Sequence, residues 1–370
     1  MQNTEKALLY LIAVGLGKTD FDLADFPCQL DWVKLYRLSV EQGVNAVAVD
    51  GLQKILQKYP NDQRFAVKDV SDRMQRMQWI AQSVVLEKQY LCCEKAISDL
   101  ATFYNQNDIR MMILKGYGLS LDWPIPSHRP MGDLDTYNFG KQELADELVK
   151  TKLGIKVDDS YEHHTIFTYK GLMVENHYDF FNVYAHKSSK ILDGILKKMV
   201  DINVRTYNVL HSIIYLPPIQ FNALFLLRHA GLHFAGEHLV LRQVIDWAMF
   251  VDKHHEKIDW EDLENTAKKM NIDRFLACLN AICIENIGID KSKFPVVKID
   301  KDLKEKVLSD ILSPEFNDQK PKSLFPILLY KWKRWRANAW KHRMVFNESQ
   351  FSMFCTLLYS HIKRIKTIKA

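Results

Sequence analysis

A chain of 370 residues, 47% hydrophobic and 26% charged, has enough apolar material for a sizeable core and for two or three compact units. That balance excludes extended disorder, and no run reaches the roughly 18 consecutive apolar residues of a bilayer-spanning helix. The formal net charge of +5 is unevenly placed: residues 320–370 hold twelve Lys/Arg and one acid, Glu348, so the basicity belongs to the tail.

Residues 7–15 (ALLYLIAVG) are apolar but lack the basic flank and small-residue cleavage site of a secretory signal. Gly17 follows as a helix cap, so the run reads as a core helix. The whole of residues 1–105 reads as helical. Within it, residues 65–104 contain no Gly or Pro, and Ile80, Val84, Leu86, Tyr90, Ala96, Leu100 and Phe103 recur at helical intervals. Cys28, Cys92, Cys93, Cys278, Cys283 and Cys355 show no C-x-x-C spacing and lie mostly in apolar runs. They predict free thiols and a reducing, cytoplasmic setting.

Residues 106–185 read as a small α/β unit. A short apolar run ends in Lys115-Gly116, and a loop broken by Pro124, Pro126 and Pro130 leads to a second strand around Asp133-Leu134-Asp135. Residues 141–152 suggest an exposed helix with Leu144 and Leu148 one turn apart. Residues 165–169 and 172–178, rich in β-branched and aromatic side chains around Lys170-Gly171, predict a β-hairpin. His163-His164, just before it, read as surface residues. From Asn182 the chain reads as helical again through residue 319. Helices are expected over residues 189–199, 220–232, 239–253 and 260–270, with Asp259 capping the last. Residues 291–298 and 313–322 read as linkers, and residues 363–369 (KRIKTIK) as a loose end.

The chemistry concentrates in the α/β unit. In a strand, residues i and i+2 project from one face about 6.6 Å apart, so Asp133 and Asp135 point together while Leu134 packs behind. Two such carboxylates suit Mg²⁺, which takes oxygen ligands and leaves positions for phosphate oxygens and water. Glu175 is the best third carboxylate because it alternates with apolar Val174, and Asp179 is the fallback. Gly116 gives the backbone freedom to leave its strand. Lys115, Gly116, Ser120 and Arg129 are the candidate phosphate contacts. An Asp-x-Asp pair in an exposed turn is the plainer reading of the same residues.

Leu114-Lys115-Gly116, the stretch Arg129-Pro130-Met131-Gly132-Asp133-Leu134-Asp135 and the later Glu175-Asn176-His177 together resemble the DNA polymerase β-like nucleotidyltransferase superfamily. Within it they are most similar to bacterial nucleotidyltransferases with an "LKG … R-P-x-G-D-x-D … E-x-H" pattern. The agreement covers residues 110–180. The resemblance implies an α+β fold, with a small mixed-sheet core between large flanking all-helical regions. It implies that Asp133, Asp135 and Glu175 ligate Mg²⁺ (two ions, with Mn²⁺ as the alternative) and that Gly116 lines the phosphate turn. An NTP would then pass its nucleotidyl group to an acceptor hydroxyl on a small molecule, protein or RNA. Tyr117 follows Gly116 where the superfamily has Gly-Ser or Gly-Gly, and this motivates an alternative: a non-catalytic nucleotide- or partner-binding protein that retains the fold.

Three further features lie outside that unit. His229 and His233 stand one helical turn apart, a spacing that suits zinc, but with no H-E-x-x-H motif or firm third ligand the pair reads rather as a buried helix or a wall of the nucleotide cleft. Arg228 and Arg242 could reach phosphate, although Arg242 and Asp246 at i, i+4 would also pair on a helix. The tail, residues 320–370, interleaves Trp332, Trp335 and Trp340 with Lys and Arg. That pattern suits RNA, an anionic membrane surface with peripheral attachment, or a helix that docks its tryptophans on the body.

Overall fold

The computed structural model describes residues 1–67, 69–184, 186–236, 238–296, 300–314 and 324–349. Four helices come first: α1 (Asn3–Leu16), α2 (Trp32–Glu41), α3 (Asn45–Lys58) and α4 (Val70–Asn105). Residues 7–15 lie inside α1, and their apolar side chains other than Tyr10 are buried. Helices α1 and α3 cross closely because of glycine. A Cβ on Gly51 would stand 1.9 Å from the Leu11 carbonyl oxygen, and one on Gly15 2.2 Å from that of Val47.

The expectation of one or two long helices over residues 65–104 resolves as the single 36-residue α4. Its first half packs on α2 and α3 through Trp79, whose indole N–H donates to the Asn45 carbonyl at 3.0 Å. Its second half covers the sheet with Ala96, Ile97, Leu100, Ala101 and Tyr104.

The chain then alternates: β1 (Met112–Ile113), α5 (Tyr117–Ser120), β2 (Leu134–Tyr137), α6 (Gln142–Leu153), β3 (His164–Tyr169), β4 (Leu172–His177), α7 (Lys187–Met199), β5 (Arg205–Val209) and β6 (Ser212–Leu216). All six strands join one mixed sheet in the order β3-β4-β2-β1-β6-β5. Strand β2 runs parallel to β4 and antiparallel to β1, which in turn runs parallel to β6. The β3–β4 hairpin turns at Lys170 and Gly171, both at positive φ. The all-helical reading after Asn182 needs correction, because β5 and β6 carry the sheet past residue 185.

Side chains alternate between the two faces, as strand geometry requires. Leu134, Val174, Phe167 and Ile214 face α4 and α6, where Asp146 accepts hydrogen bonds from Thr165 and Asn176 at 2.9 and 2.8 Å. Helix α6 buries Ala145 and Val149, leaves Leu144 48% exposed and packs Leu148, partly buried, against the same core. The opposite sheet face, carrying Met112 and Tyr137, joins the larger core formed by α1–α3 and the later helices.

Those helices are α8 (Ile219–Gly236), α9 (Leu241–His254), α10 (Trp260–Lys269), α11 (Asp273–Ile282), α12 (Lys301–Leu312), α13 (Leu324–Ala337) and α14 (Ala339–Val345). Asp259 caps α10 as expected, accepting from the Asp262 amide at 3.0 Å. The fold is therefore α+β, a mixed six-stranded sheet with many flanking helices. Among the described residues, no helix is long and apolar enough to cross a membrane. Cys28, Cys92, Cys93, Cys278 and Cys283 are all free.

Part of the basic tail docks on the body. Trp340 packs edge-on against Phe234, Lys341 pairs with Asp310 at 2.5 Å, and Arg228 donates to the Val345 carbonyl at 2.8 Å. Arg228 is thus engaged away from the acidic strands, whereas Trp332 of α13 is 52% exposed. Of the linker expected over residues 313–322, all but the first two residues lie outside the described residues, as does the loose end at residues 363–369.

Phe346, just past α14, stacks with both His186 and His342, at ring separations of 4.0 and 5.3 Å. Burial, reinforced by neighbouring Arg228, lowers His186 from 6.5 to about 4. Burial and then Lys341 and Arg334 do the same to His342. Both are neutral in the folded protein while the unfolded chain still protonates them, so their contribution is complete above pH 6.5 and is lost as pH falls towards about 4. The urea midpoint should fall across that window, and His186→Phe should flatten the dependence. An unchanged slope in the variant would remove His186 from the explanation.

Candidate active site

Two adjacent strands bring acidic residues to one sheet face. Asp135 of β2 lies opposite Glu175 of β4 in the parallel register, so their side chains project together. Asp133 precedes β2 by one residue and has 35% of its side chain exposed, whereas Asp135 has 1%. The Leu114 amide donates to the Asp135 carbonyl at 3.0 Å, which prolongs the β1 pairing and delivers Lys115 to the carboxylates. Lys115 Nζ stands 3.0 Å from Asp135 Oδ1 and 4.0 Å from Asp133 Oδ2. Gly116 then turns the chain away at φ 61°, and a Cβ there would meet the Asp133 carbonyl at 3.3 Å.

Histidines complete the wall. His177 Nε2 is 3.0 Å from Asp135 Oδ1 and 3.6 Å from Glu175 Oε2, while Nδ1 is 3.2 Å from the Asp179 carbonyl oxygen. On β3, His164 lies opposite His177, and its Nδ1 is 3.9 Å from Glu175 Oε2. The surface reading of His163-His164 is corrected here. His164 is 6% exposed, and both rings lie about 4 to 6 Å from another imidazole, since their centroids are 4.3 Å apart and 5.5 and 5.0 Å from His177.

Burial and charge separate the protonation states. Burial and the charge on Asp135 raise the Asp133 carboxyl above its usual range. Burial acts the same way on Asp135, but Lys115 and His177 outweigh it and hold Asp135 well below that range. His177 is pushed up to about 9: burial works against its charge, and hydrogen bonds to Asp135 and Glu175 win. Burial, helped by His177, lowers His163 to about 3 and His164 to about 4. His229 of α8 is held well below 6.5 by burial and by the positive charge of Lys115, which places it within electrostatic reach of the site.

Not every expected contact gathers here. The Ser120 hydroxyl is buried, donates to the Tyr117 carbonyl at 2.7 Å and lies 2.9 Å from the Tyr90 hydroxyl. Arg129 forks onto Asp246, with Nε and Nη2 at 2.7 and 2.8 Å from its two oxygens. That fork replaces the simple Arg242–Asp246 pairing expected along α9. Arg242 instead donates to the Pro130 carbonyl at 3.3 Å, within electrostatic reach of Asp133. The carboxylate of Asp179, the fallback third acid, pairs with Lys197. His229 and His233 approach to 3.3 Å between Nε2 atoms, and among the described residues no third ligand completes a zinc set with them.

The donors suit a divalent cation. Ligand atoms of Asp135, Glu175 and His177 lie within 4.8 Å of one another, and buried Asp135 Oδ2 has no hydrogen-bond partner. Comparison with known proteins adds one finding. A family model described as "uncharacterised nucleotidyltransferase" matches residues 29–287, a span that takes in α2 to α11 and therefore the whole sheet. No curated protein and no solved structure matches the chain.

Proposed function

We propose that this chain, which belongs to the uncharacterised nucleotidyltransferase family, moves a nucleoside monophosphate from an NTP to an acceptor hydroxyl at Asp133, Asp135 and Glu175. The observation that carries this reading is the in-register pairing of Asp135 with Glu175 on adjacent parallel strands, with Asp133 projecting beside them. These three carboxylates would hold the cation, Mg²⁺ in the family reading. When bound, it supplies Lewis-acid activation of the α-phosphate and neutralises charge on the triphosphate. Glu175 accepts the acceptor's proton as the hydroxyl oxygen attacks the α-phosphorus. The bond to the bridging oxygen breaks, and pyrophosphate leaves with its electron pair. Lys115, beside Asp133 and Asp135, and Arg242, within electrostatic reach of Asp133, would supply positive charge to the leaving phosphates, so positioning and electrostatics would do most of the work.

A second reading rests on Lys115. Its ammonium, 3.0 Å from Asp135 Oδ1, can substitute for a cation, and the protein would then bind a nucleotide or partner without turnover. The two readings separate in one experiment. Each NTP is titrated with and without divalent cation, and pyrophosphate release is followed with small-molecule, protein and RNA acceptors. Cation-dependent binding followed by release supports transfer. Binding that ignores the cation and yields no pyrophosphate supports the second reading.

A further inference from the structure

We propose that the cation held at Asp135 and Glu175 takes a nitrogen ligand, His177 Nε2, in addition to its carboxylates, so that this mixed oxygen–nitrogen site prefers a first-row transition ion such as Mn²⁺ over Mg²⁺. The inference rests on the transferase reading of the same site and goes beyond its three carboxylates.

The geometry of His177 carries it. A carbonyl oxygen only accepts, so the 3.2 Å contact with Asp179 places a proton on Nδ1 and points the other nitrogen at the carboxylates. A ring N–H tied to a backbone carbonyl is the usual support for a metal-bound imidazole. Nε2 then faces one oxygen each of Asp135 and Glu175, at 3.0 and 3.6 Å. A lone pair opposite two carboxylates is repulsive unless a proton or a cation lies between them.

Two further observations point to a cation rather than a proton alone. Asp135 Oδ1 already receives Lys115 at 3.0 Å, yet Oδ2, equally buried, has no hydrogen-bond partner. Beside it, His163 Nδ1 and both ring nitrogens of His164 are buried and form no hydrogen bond. A proton on His177 Nε2 leaves Oδ2 without a partner, whereas an ion held in this corner can take it as a ligand. The ligand atoms of His163, His164 and His177 also lie within 4.8 Å of one another, so the nitrogen side of the site is continuous. Mg²⁺ favours oxygen donors in near-octahedral geometry, and an imidazole ligand shifts preference towards transition ions.

The test is metal binding by the full chain without nucleotide, using Mn²⁺ and Mg²⁺ as probes. Calorimetry should show Mn²⁺ bound at least about tenfold more tightly than Mg²⁺, and His177→Gln should remove most of that margin. Pulsed electron paramagnetic resonance of bound Mn²⁺ should show ¹⁴N coupling in the wild type, a readout that needs no variant to fold, and the coupling should vanish in His177→Gln. Mn²⁺ bound without nitrogen coupling, or an unchanged preference in a folded His177→Gln, overturns the ligand assignment and leaves the carboxylate site standing. Absence of binding by either ion, even with NTP added, overturns both.

Discussion

Asp135→Asn should lower nucleotidyl transfer by roughly a thousandfold, read as pyrophosphate release under NTP saturation. A bound cation supplies several kcal/mol of charge stabilisation in such a reaction, and each ~1.4 kcal/mol is a factor of ten. Asp135 is the member of the site with most to lose. It is 1% exposed, sits in register with Glu175, and is the common acceptor for Lys115 and His177. Asparagine keeps the shape and an acceptor oxygen but removes the charge, so the loss should appear in turnover before it appears in stability. Ser120→Ala is the matched control. Its hydroxyl is held by the Tyr117 carbonyl and Tyr90, so transfer should continue near the wild-type rate. Retained activity in Asp135→Asn would place the chemistry elsewhere on the molecule.

The acidic half of this site could be read in the sequence because strand periodicity is strict. Leu134 had to pack behind the sheet for Asp133 and Asp135 to project together, and Leu134 is fully buried. The Lys170-Gly171 turn likewise fixed the β3–β4 hairpin and, with it, the position of Glu175. Strands β5 and β6 escaped for a local reason. Their turn is built on Leu210 at φ 50°, a residue that carries none of the usual turn signal. His163 and His164 escaped for a tertiary one. Polar residues ahead of a hairpin normally face water, and only the meeting of β3 with β4, together with Tyr161 stacked 5.0 Å from the His164 ring, encloses them. Arg129 shows the limit most clearly. The sequence placed it four residues before Asp133 as a phosphate ligand, and nothing local announced a partner 117 positions away.

That partnership predicts the largest loss of stability. The Arg129 and Asp246 side chains are 6% and 5% exposed, and Asp246 Oδ1 also accepts the Trp123 indole N–H at 3.0 Å. Asp246→Ala removes the carboxylate and leaves a guanidinium buried without its counter-charge, which costs about 3–5 kcal/mol. The lost Trp123 bond adds about 1 kcal/mol. Chemical denaturation should therefore show a much lower midpoint with little change in slope. Replacing both partners distinguishes a structural fork from a phosphate ligand. Arg129→Met with Asp246→Leu removes the charges together, and buried pairs exchanged for packed apolar residues are often neutral in stability. The double variant should recover most of the lost stability and bind NTP as the wild type does, because Asp246 already occupies the Arg129 fork. If it recovers stability but loses NTP affinity, Arg129 must leave Asp246 to meet phosphate, and the resting fork is then a latch on the site.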